Sequence, residues 1–297
     1  MKFETINNET FNIETSLEMI EEVFNMSLKD LLDNLVISED DYRLIQEEGL
    51  DSENIPREIF EKIYNYAYNN KLYINDILWL EYQEQISIDE ILLSHGSRKN
   101  IVGEIRLDMS GDSNDFSNGF YCGQSLKQAG MFVSQEPESS LYILSYNEQP
   151  DNLVEMRFNV STNWMLAVAY YRDTLGEYKN SDTVREIIHA VDGSDLIIAP
   201  IADNRMFQII DAFTDGQITD LQCQYALAST NLGYQYVFKT QNAVDHLTIL
   251  DHLYLCDFEK NKYNDKAQEE SNTSLMKANY SKRKFAYRGK YIDELLK

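Results

Sequence analysis

The sequence predicts an α+β domain over residues 90–256, preceded by an acidic helical module at 1–89 and followed by a polar, basic tail at 257–297. Three observations lead there. Apolar residues before position 90 recur at three- and four-residue spacing, the period of one helix face. After Ile91 the texture changes to short β-type runs separated by loops and helix-period stretches, without the strict strand–helix–strand rhythm of a parallel sheet. With 297 residues, 43% of them hydrophobic, the chain has material for one large domain, or for a compact catalytic domain plus a smaller one.

Residues 1–20 are polar and are expected to form a short strand or an ordered arm. Helices are expected over SLKDLLDNL (27–35), EDDYRLIQEEG (39–49) and PREIFEKIYNYAYNNK (56–71). Ser27 and Ser38 suit N-caps, because a hydroxyl there accepts from the N–H groups that a helix start leaves unbonded. Pro56 suits a first helical turn, and Gly49 and Asn69-Asn70 suit helix exits. Short helices joined by tight turns raise a helix-turn-helix reading. Residues 1–90, however, carry 6 Lys and Arg against 22 Asp and Glu. A groove-reading helix presents cations to phosphates, so this segment reads as a cap or as a module for a protein partner.

Strands are expected at EILLSH (90–95), SLYILSY (140–146), LVEMRFNV (153–160), DLIIAPIA (195–202), YQYVFKT (234–240) and LTILDHLYLC (247–256). Helices are expected between them at SLKQAGMFV (125–133), WMLAVAYYRDTLGEY (164–178), RMFQIIDAFTDG (205–216) and ITDLQCQYALAST (218–230). From Lys260 to Lys297 there are 10 basic residues against 5 acidic ones, densest in SKRKFAYRGKY (281–291). That tail reads as an arm folding onto the acidic body, with a nucleic-acid-contacting arm as the sharper alternative.

Composition narrows the function. Only 26 basic residues face 50 acidic ones, for a formal charge of −24, and such a surface repels phosphate backbones. Nucleic acid is therefore disfavoured as a partner outside the tail. Three widely spaced cysteines, Cys122, Cys223 and Cys256, make neither a disulfide framework nor a zinc knuckle, which fits a reducing cytoplasm. The opening MKFETINNETFNIETSLEM lacks the basic-then-apolar pattern of a signal peptide. No run approaches the roughly 20 apolar residues of a membrane span, so a soluble cytoplasmic protein without a membrane partner is expected. The four histidines, His95, His189, His246 and His252, lack close-ligand spacing, and no metal is expected. There is no GxxxxGK[ST] phosphate loop, no GxGxxG after a strand, no HExxH and no GxSxG.

What remains is the stretch from Leu92 to Val133: LLSHGSRKNIVGEIRL, then NDFSNGFYCGQSLKQAGMFV. It resembles the nicotinamide-binding half of ADP-ribosyltransferases of the poly(ADP-ribose) polymerase and diphtheria-toxin branch. There a strand ends in His-Gly-Ser and a later loop reads Phe-Gly-x-Gly-(Ile/Phe)-Tyr before a helix. Here the loop is Phe116-Ser117-Asn118-Gly119-Phe120-Tyr121, with Ser117 where glycine or another small residue usually stands. The chain also resembles an uncharacterised bacterial family of that superfamily (domain of unknown function 3990), through a helical N-terminal segment, DLIIAPIADNR (195–205) and YQYVFKT (234–240).

The resemblance implies a split-sheet fold at about 90–256 and NAD⁺ as substrate. His95 is then expected to hydrogen-bond an adenosine ribose hydroxyl, and the Gly96 main chain to pair with the nicotinamide carboxamide. Ser97 is expected to bond the same carboxamide and Tyr121 to stack on the nicotinamide ring. A lone histidine at a strand end, or one tyrosine among 20, is by itself more often structural. Only the ordered set carries the inference. On the late strand many relatives place Glu, whose charge favours the oxocarbenium-like centre formed as the glycosidic bond breaks. Here that strand offers Gln235, which can bond a hydroxyl but brings no charge. Electrostatic terms of this kind are worth about 3–4 kcal/mol, or roughly 10²–10³ in rate.

Three outcomes follow: a slow or mono-ADP-ribosylating enzyme, a second carboxylate such as Asp203 beside Asn204 and Arg205, or binding without turnover. Asp203 also suits the N-cap of a helix beginning near Arg205. The favoured expectation is transfer of ADP-ribose from NAD⁺ to a macromolecular acceptor, in a bacterial or phage toxin or defence setting. The rivals are a non-catalytic NAD- or ADP-ribose-binding module, and a regulatory interaction protein working through its helical N-terminal part.

Overall fold

A computed structural model of the chain describes residues 11, 13–35, 37–48, 55–107, 110, 114–147, 152–202, 204–228, 233–286 and 288–297. Helices α1 (Ile13–Phe24), α2 (Leu28–Asn34), α3 (Glu39–Glu48), α4 (Arg57–Asn69) and α5 (Ile74–Gln85) come first. Then follow β1 (Glu90–Ser97), β2 (Phe120–Gly123), α6 (Leu126–Val133), β3 (Ser140–Asn147), β4 (Glu155–Arg157), α7 (Thr162–Tyr171) and α8 (Asp182–Asp192). The chain continues through β5 (Leu196–Pro200), α9 (Asn204–Thr214), α10 (Asp220–Ala228), β6 (Tyr234–Phe238) and α11 (Gln241–Val244). It ends with β7 (Leu247–Tyr254), α12 (Asp257–Lys284) and α13 (Ile292–Leu296). This is the α+β class the sequence predicts. No helix among the described residues is long and apolar enough to cross a membrane.

The chain divides into two compact units, each drawn from three stretches. The first comprises Met1–Ile105, Ser125–Gln149 and Leu247–Asp265. Within it β1 and β7 flank β3, both antiparallel to it. Ile20, Leu31, Ile59 and Ile63 from the helices share one apolar cluster with Leu141, Ile143 and Leu253 from the strands. Ser27 caps α2 as expected. Its Oγ accepts from the Asp30 N–H at 3.2 Å while the Asp30 carboxylate accepts from the Ser27 N–H at 3.2 Å, a reciprocal capping box. Ser38 Oγ likewise accepts from the Asp41 N–H at 3.1 Å. Pro56 stands one residue earlier than expected, as the N-cap of α4, and Asn70 is its C-cap. Gly49 lies outside the described residues.

Over residues 13–20 the expected strand or arm is replaced by α1, and residues 1–10 and 12 of that stretch lie outside the described residues. Ile13, Leu17 and Ile20 recur at helical spacing and are buried, while Glu18 and Glu22 face solvent. The acidic outer face masks an amphipathic period.

The second unit comprises Arg106–Gln124, Pro150–His246 and Lys266–Lys297. In it β4 runs parallel to β5, β5 is antiparallel to β6, and β6 is antiparallel to β2. Its core gathers Trp164 and Val168 from α7, Ile197 from β5, Ile210 and Phe213 from α9, and Val237 from β6. The helix expected at 164–178 stops at Tyr171 because Asp173 and Gly176 take positive φ, and a 3-10 turn (Gly176–Asn180) follows. The strand expected at 153–160 contracts to Glu155–Arg157. Helix α8 was not anticipated, although Ser181 caps it and Val184, Ile187, Ile188 and Val191 form its buried face. The polar tail is mostly the helix α12, anchored by single buried residues such as Glu259 and Tyr263 in the first unit and Ser281 in the second.

Candidate functional site

The His95-Gly96-Ser97 segment ends strand β1 in the first unit. Side chains alternate along a strand, so Ser94 and Gly96 share one face and His95 takes the other. The Ser94 and Gly96 face lies against α6. Fully buried Ser94 donates from Oγ to the Ser125 carbonyl, at the N-cap of that helix, over 2.6 Å. A Cβ at Gly96 would come within 2.5 Å of the Ala129 carbonyl oxygen and 3.0 Å of Val133 Cγ1. The absence of a side chain at 96 thus has a packing cause of its own, beside the ligand contact expected from sequence. Gly96→Ala is expected to cost about 1–3 kcal/mol in denaturant unfolding, the usual penalty for overpacking. Because the obstacle is main chain, adding Val133→Ala should not recover the loss. Unchanged stability in Gly96→Ala would contradict this packing.

On the opposite face His95 belongs to a cross-strand row. Its register partner is Tyr142, whose own partner across β3 and β7 is His252. The His95 and Tyr142 rings are 6.3 Å apart, Tyr142 stacks on His252 at 4.3 Å, and Phe11 lies 4.4 Å beyond His252. Tyr142 is further pinned by the Ile101 N–H, which donates to its hydroxyl over 2.8 Å. Burial pushes the Tyr142 hydroxyl well above its ordinary range. His95 itself is half-buried. Ser97 turns locally: its Oγ donates to the Lys99 carbonyl at 2.5 Å and accepts from the Lys99 N–H at 3.4 Å. A ligand at Ser97 has to compete with that turn for the hydroxyl proton.

Tyr121 and Gln235 lie in the second unit, on the paired strands β2 and β6. The loop before β2 is closed on itself. Tyr121 donates its hydroxyl to the Ser117 carbonyl at 2.6 Å and accepts from the Phe116 N–H at 3.2 Å. Lys239 donates to the Phe116 carbonyl at 2.5 Å, and Ser110 Oγ accepts from the Gly119 N–H at 2.9 Å. Burial first, and the Asp115 charge second, push the Tyr121 hydroxyl far above its ordinary range. The phenol therefore stays protonated and holds its own loop, while the ring packs against the core of the second unit.

Ser117, the departure from the glycine pattern, sits at φ +64°, in the left-handed region that favours glycine. Holding a side chain there costs about 1–2 kcal/mol. Ser117→Gly is accordingly expected to raise the unfolding midpoint or leave it unchanged, and Ser117→Val to lower it. The reverse order would remove the strain assigned to this position.

Beneath Gln235 lies a buried ionic group that the sequence reading missed. Asp115, 5% exposed, accepts on Oδ1 from Arg172 Nε at 3.0 Å and Nη2 at 2.6 Å. On Oδ2 it accepts from the Ala202 N–H at 3.1 Å and from Gln235 Nε2 at 2.8 Å. Gln235 Nε2 also donates to the Pro200 carbonyl at 3.2 Å. Arg172 donates to the Ala202 carbonyl at 3.1 Å and stacks over the Phe207 ring at 4.7 Å. Strand β6, the C-cap of α7 and the loop after β5 thus converge on one carboxylate. Nothing in the spacing of positions 115, 172 and 235 signals that convergence. Asp203, the expected alternative source of charge, lies outside the described residues.

All three cysteines are buried, and burial raises each thiol, so none is poised as a thiolate nucleophile. No group of three metal-ligating side chains occurs among the described residues.

No curated protein and no solved structure matches the chain. The family described as Protein of unknown function (DUF3990) matches residues 91–249, from the second residue of β1 into β7. The match spans more than half of the chain and takes in His95, Gly96, Ser97, Asp115, Tyr121, Arg172 and Gln235. The chain belongs to the DUF3990 family.

Proposed function

We propose that the chain is an NAD⁺-dependent ADP-ribosyltransferase that passes ADP-ribose to a macromolecular acceptor. In this reaction the bond between the nicotinamide nitrogen and ribose C1′ breaks, and its electron pair leaves with nicotinamide. Positive charge develops on the ribose, and an acceptor nucleophile forms the new bond to C1′. The residues are assigned as the sequence resemblance implies: His95 to an adenosine ribose hydroxyl, Gly96 and Ser97 to the carboxamide, Tyr121 to the nicotinamide face and Gln235 to a ribose hydroxyl. A split-sheet domain of the ADP-ribosyltransferase kind is the fold proposed with it.

The observation that carries most weight is Gln235. Both donors of its amide are engaged inward, and its Oε1 receives no hydrogen bond from a described residue. That leaves an acceptor suited to a sugar hydroxyl. One feature favours a second reading, an NAD- or ADP-ribose-binding module without turnover. The amide is neutral, and Arg172 balances the carboxylate behind it. A bacterial or phage toxin or defence role is part of the proposal on resemblance alone.

The purified chain, given NAD⁺ labelled separately in its nicotinamide and adenylate portions, is expected to release nicotinamide and pass the adenylate label to macromolecules of a cell extract. Binding without release would establish the second reading. Absence of both binding and release would end both.

A further inference from the structure

We infer that Asp115 and Arg172 are positioning residues that lock the Gln235 amide with its oxygen outward, so that position 235 can only receive a hydrogen-bond donor from a ligand. The locking follows from the second unit alone; its use for a ribose hydroxyl rests on the proposed NAD⁺ reading. An amide side chain can present either its oxygen or its nitrogen to a ligand, and the choice is set by what surrounds it. Here one Nε2 hydrogen meets Asp115 Oδ2 at 2.8 Å and the other meets the Pro200 carbonyl at 3.2 Å. Turning the amide over would set Oε1 against two acceptors and remove two hydrogen bonds from a residue only 8% exposed.

Asp115 cannot swing away to permit the turn. Arg172 grips its other oxygen through two N–H groups, and the Ala202 N–H holds the same oxygen as Gln235 does. Arg172 is fixed in turn by the Ala202 carbonyl and the Phe207 ring. The outward atom is therefore Oε1, which is not one of the enclosed side-chain atoms that lack a partner and so retains surface toward solvent. A ligand carboxylate, phosphate oxygen or carbonyl finds only lone pairs there, whereas a hydroxyl finds an acceptor. The negative charge absent from position 235 stands one hydrogen bond behind it, on Asp115.

The same geometry explains why an amide rather than a carboxylate occupies 235. A glutamate would place two carboxylates at hydrogen-bond distance in a buried site, a like-charge pair that neither can leave.

Two measurements test the lock. In the intact ¹⁵N-labelled protein, the Gln235 side-chain amide resonances, identified by their loss in Gln235→Met, are expected to exchange with solvent at least 10-fold more slowly than those of exposed glutamines. Equal exchange would overturn the inference. In thermal unfolding, Gln235→Glu is expected to lower the midpoint strongly in the native background, and by less than half as much when Asp115→Asn is already present. Equal shifts in the two backgrounds would also overturn it. Should Gln235→Glu alone fail to fold, a folded Asp115→Asn/Gln235→Glu protein counts as the rescue, and failure of both leaves the exchange measurement to decide. Neither measurement involves a ligand. Addition of NAD⁺ then probes the functional reading separately: shifted Gln235 resonances support it, and unshifted resonances with protection intact would sink that reading while leaving the lock in place.

Discussion

Asp115→Ala is expected to remove about 3 kcal/mol of unfolding free energy. Breaking a buried ion pair by deleting one member costs roughly 3–5 kcal/mol, because the remaining charge is left without compensation. Arg172 keeps 20% of its side chain exposed and can recruit some water, which places the loss at the lower end of that range. Three further donors are orphaned together: the second Arg172 N–H, the Ala202 N–H and Gln235 Nε2. Against a total stability of about 5–15 kcal/mol for a typical domain, this is a large fraction. Equilibrium denaturation by urea measures it, and a loss below 1 kcal/mol would mean that the carboxylate is not held as described.

Replacing both charges tells destabilisation by an unpaired cation from loss of shape. Asp115→Ala/Arg172→Met removes the abandoned guanidinium, and well-packed apolar replacements of buried pairs are often neutral or stabilising. The double variant is therefore expected to be more stable than Asp115→Ala alone. Non-additivity of this kind belongs to residues in one network. If the two losses merely add, Arg172 and Asp115 act independently, and the lock on Gln235 has a different basis.

These effects mark the boundary of what the sequence shows. Helix starts at Ser27 and Ser38, the α6 cap at Ser125 and the strands around positions 93, 143, 197 and 237 were readable, because local spacing and hydroxyl caps determine them. The chemistry-bearing residues were readable only as an ordered set of motifs. Gly96 illustrates the difficulty: one glycine has two physical uses, and the contact with Ala129 that requires it involves a helix 33 positions later in the chain. Asp115 was not legible at all. It lies in the polar run GDSNDFSNG (111–119), indistinguishable by composition from any solvated loop, and its meaning comes from residues 57, 87 and 120 positions away. Helix α8 carries local signals of its own, in the Ser181 cap and the buried period from Val184 to Val191.

The tail offers the second large effect, and it arises from a residue whose surroundings contradict its polar sequence context. Glu259, in the first turn of α12, is 3% exposed, and burial, with a smaller contribution from the Asp76 charge, pushes its carboxyl from an ordinary 4.5 up to about 7. Asn75 Nδ2 donates to its Oε2 at 2.9 Å, and Lys262 draws the value partly back. With the folded value above the unfolded one, the native state binds the extra proton between about 4.5 and 7. Stability from this residue is thus fully present below pH 4.5, falls as pH rises toward 7, and stays low above it. Taken at 1.36 kcal/mol per unit, the loss is on the order of 3 kcal/mol. Glu259→Gln keeps an oxygen for Asn75 and carries no charge at any pH. It is expected to match the wild type near pH 4 and to exceed it at pH 8 by up to about 3 kcal/mol. Urea unfolding of both proteins at the two pH values isolates the contribution, because every other titrating group is common to both. Parallel pH profiles would show that the Glu259 carboxyl reaches solvent, and that α12 does not seal the first unit at this turn.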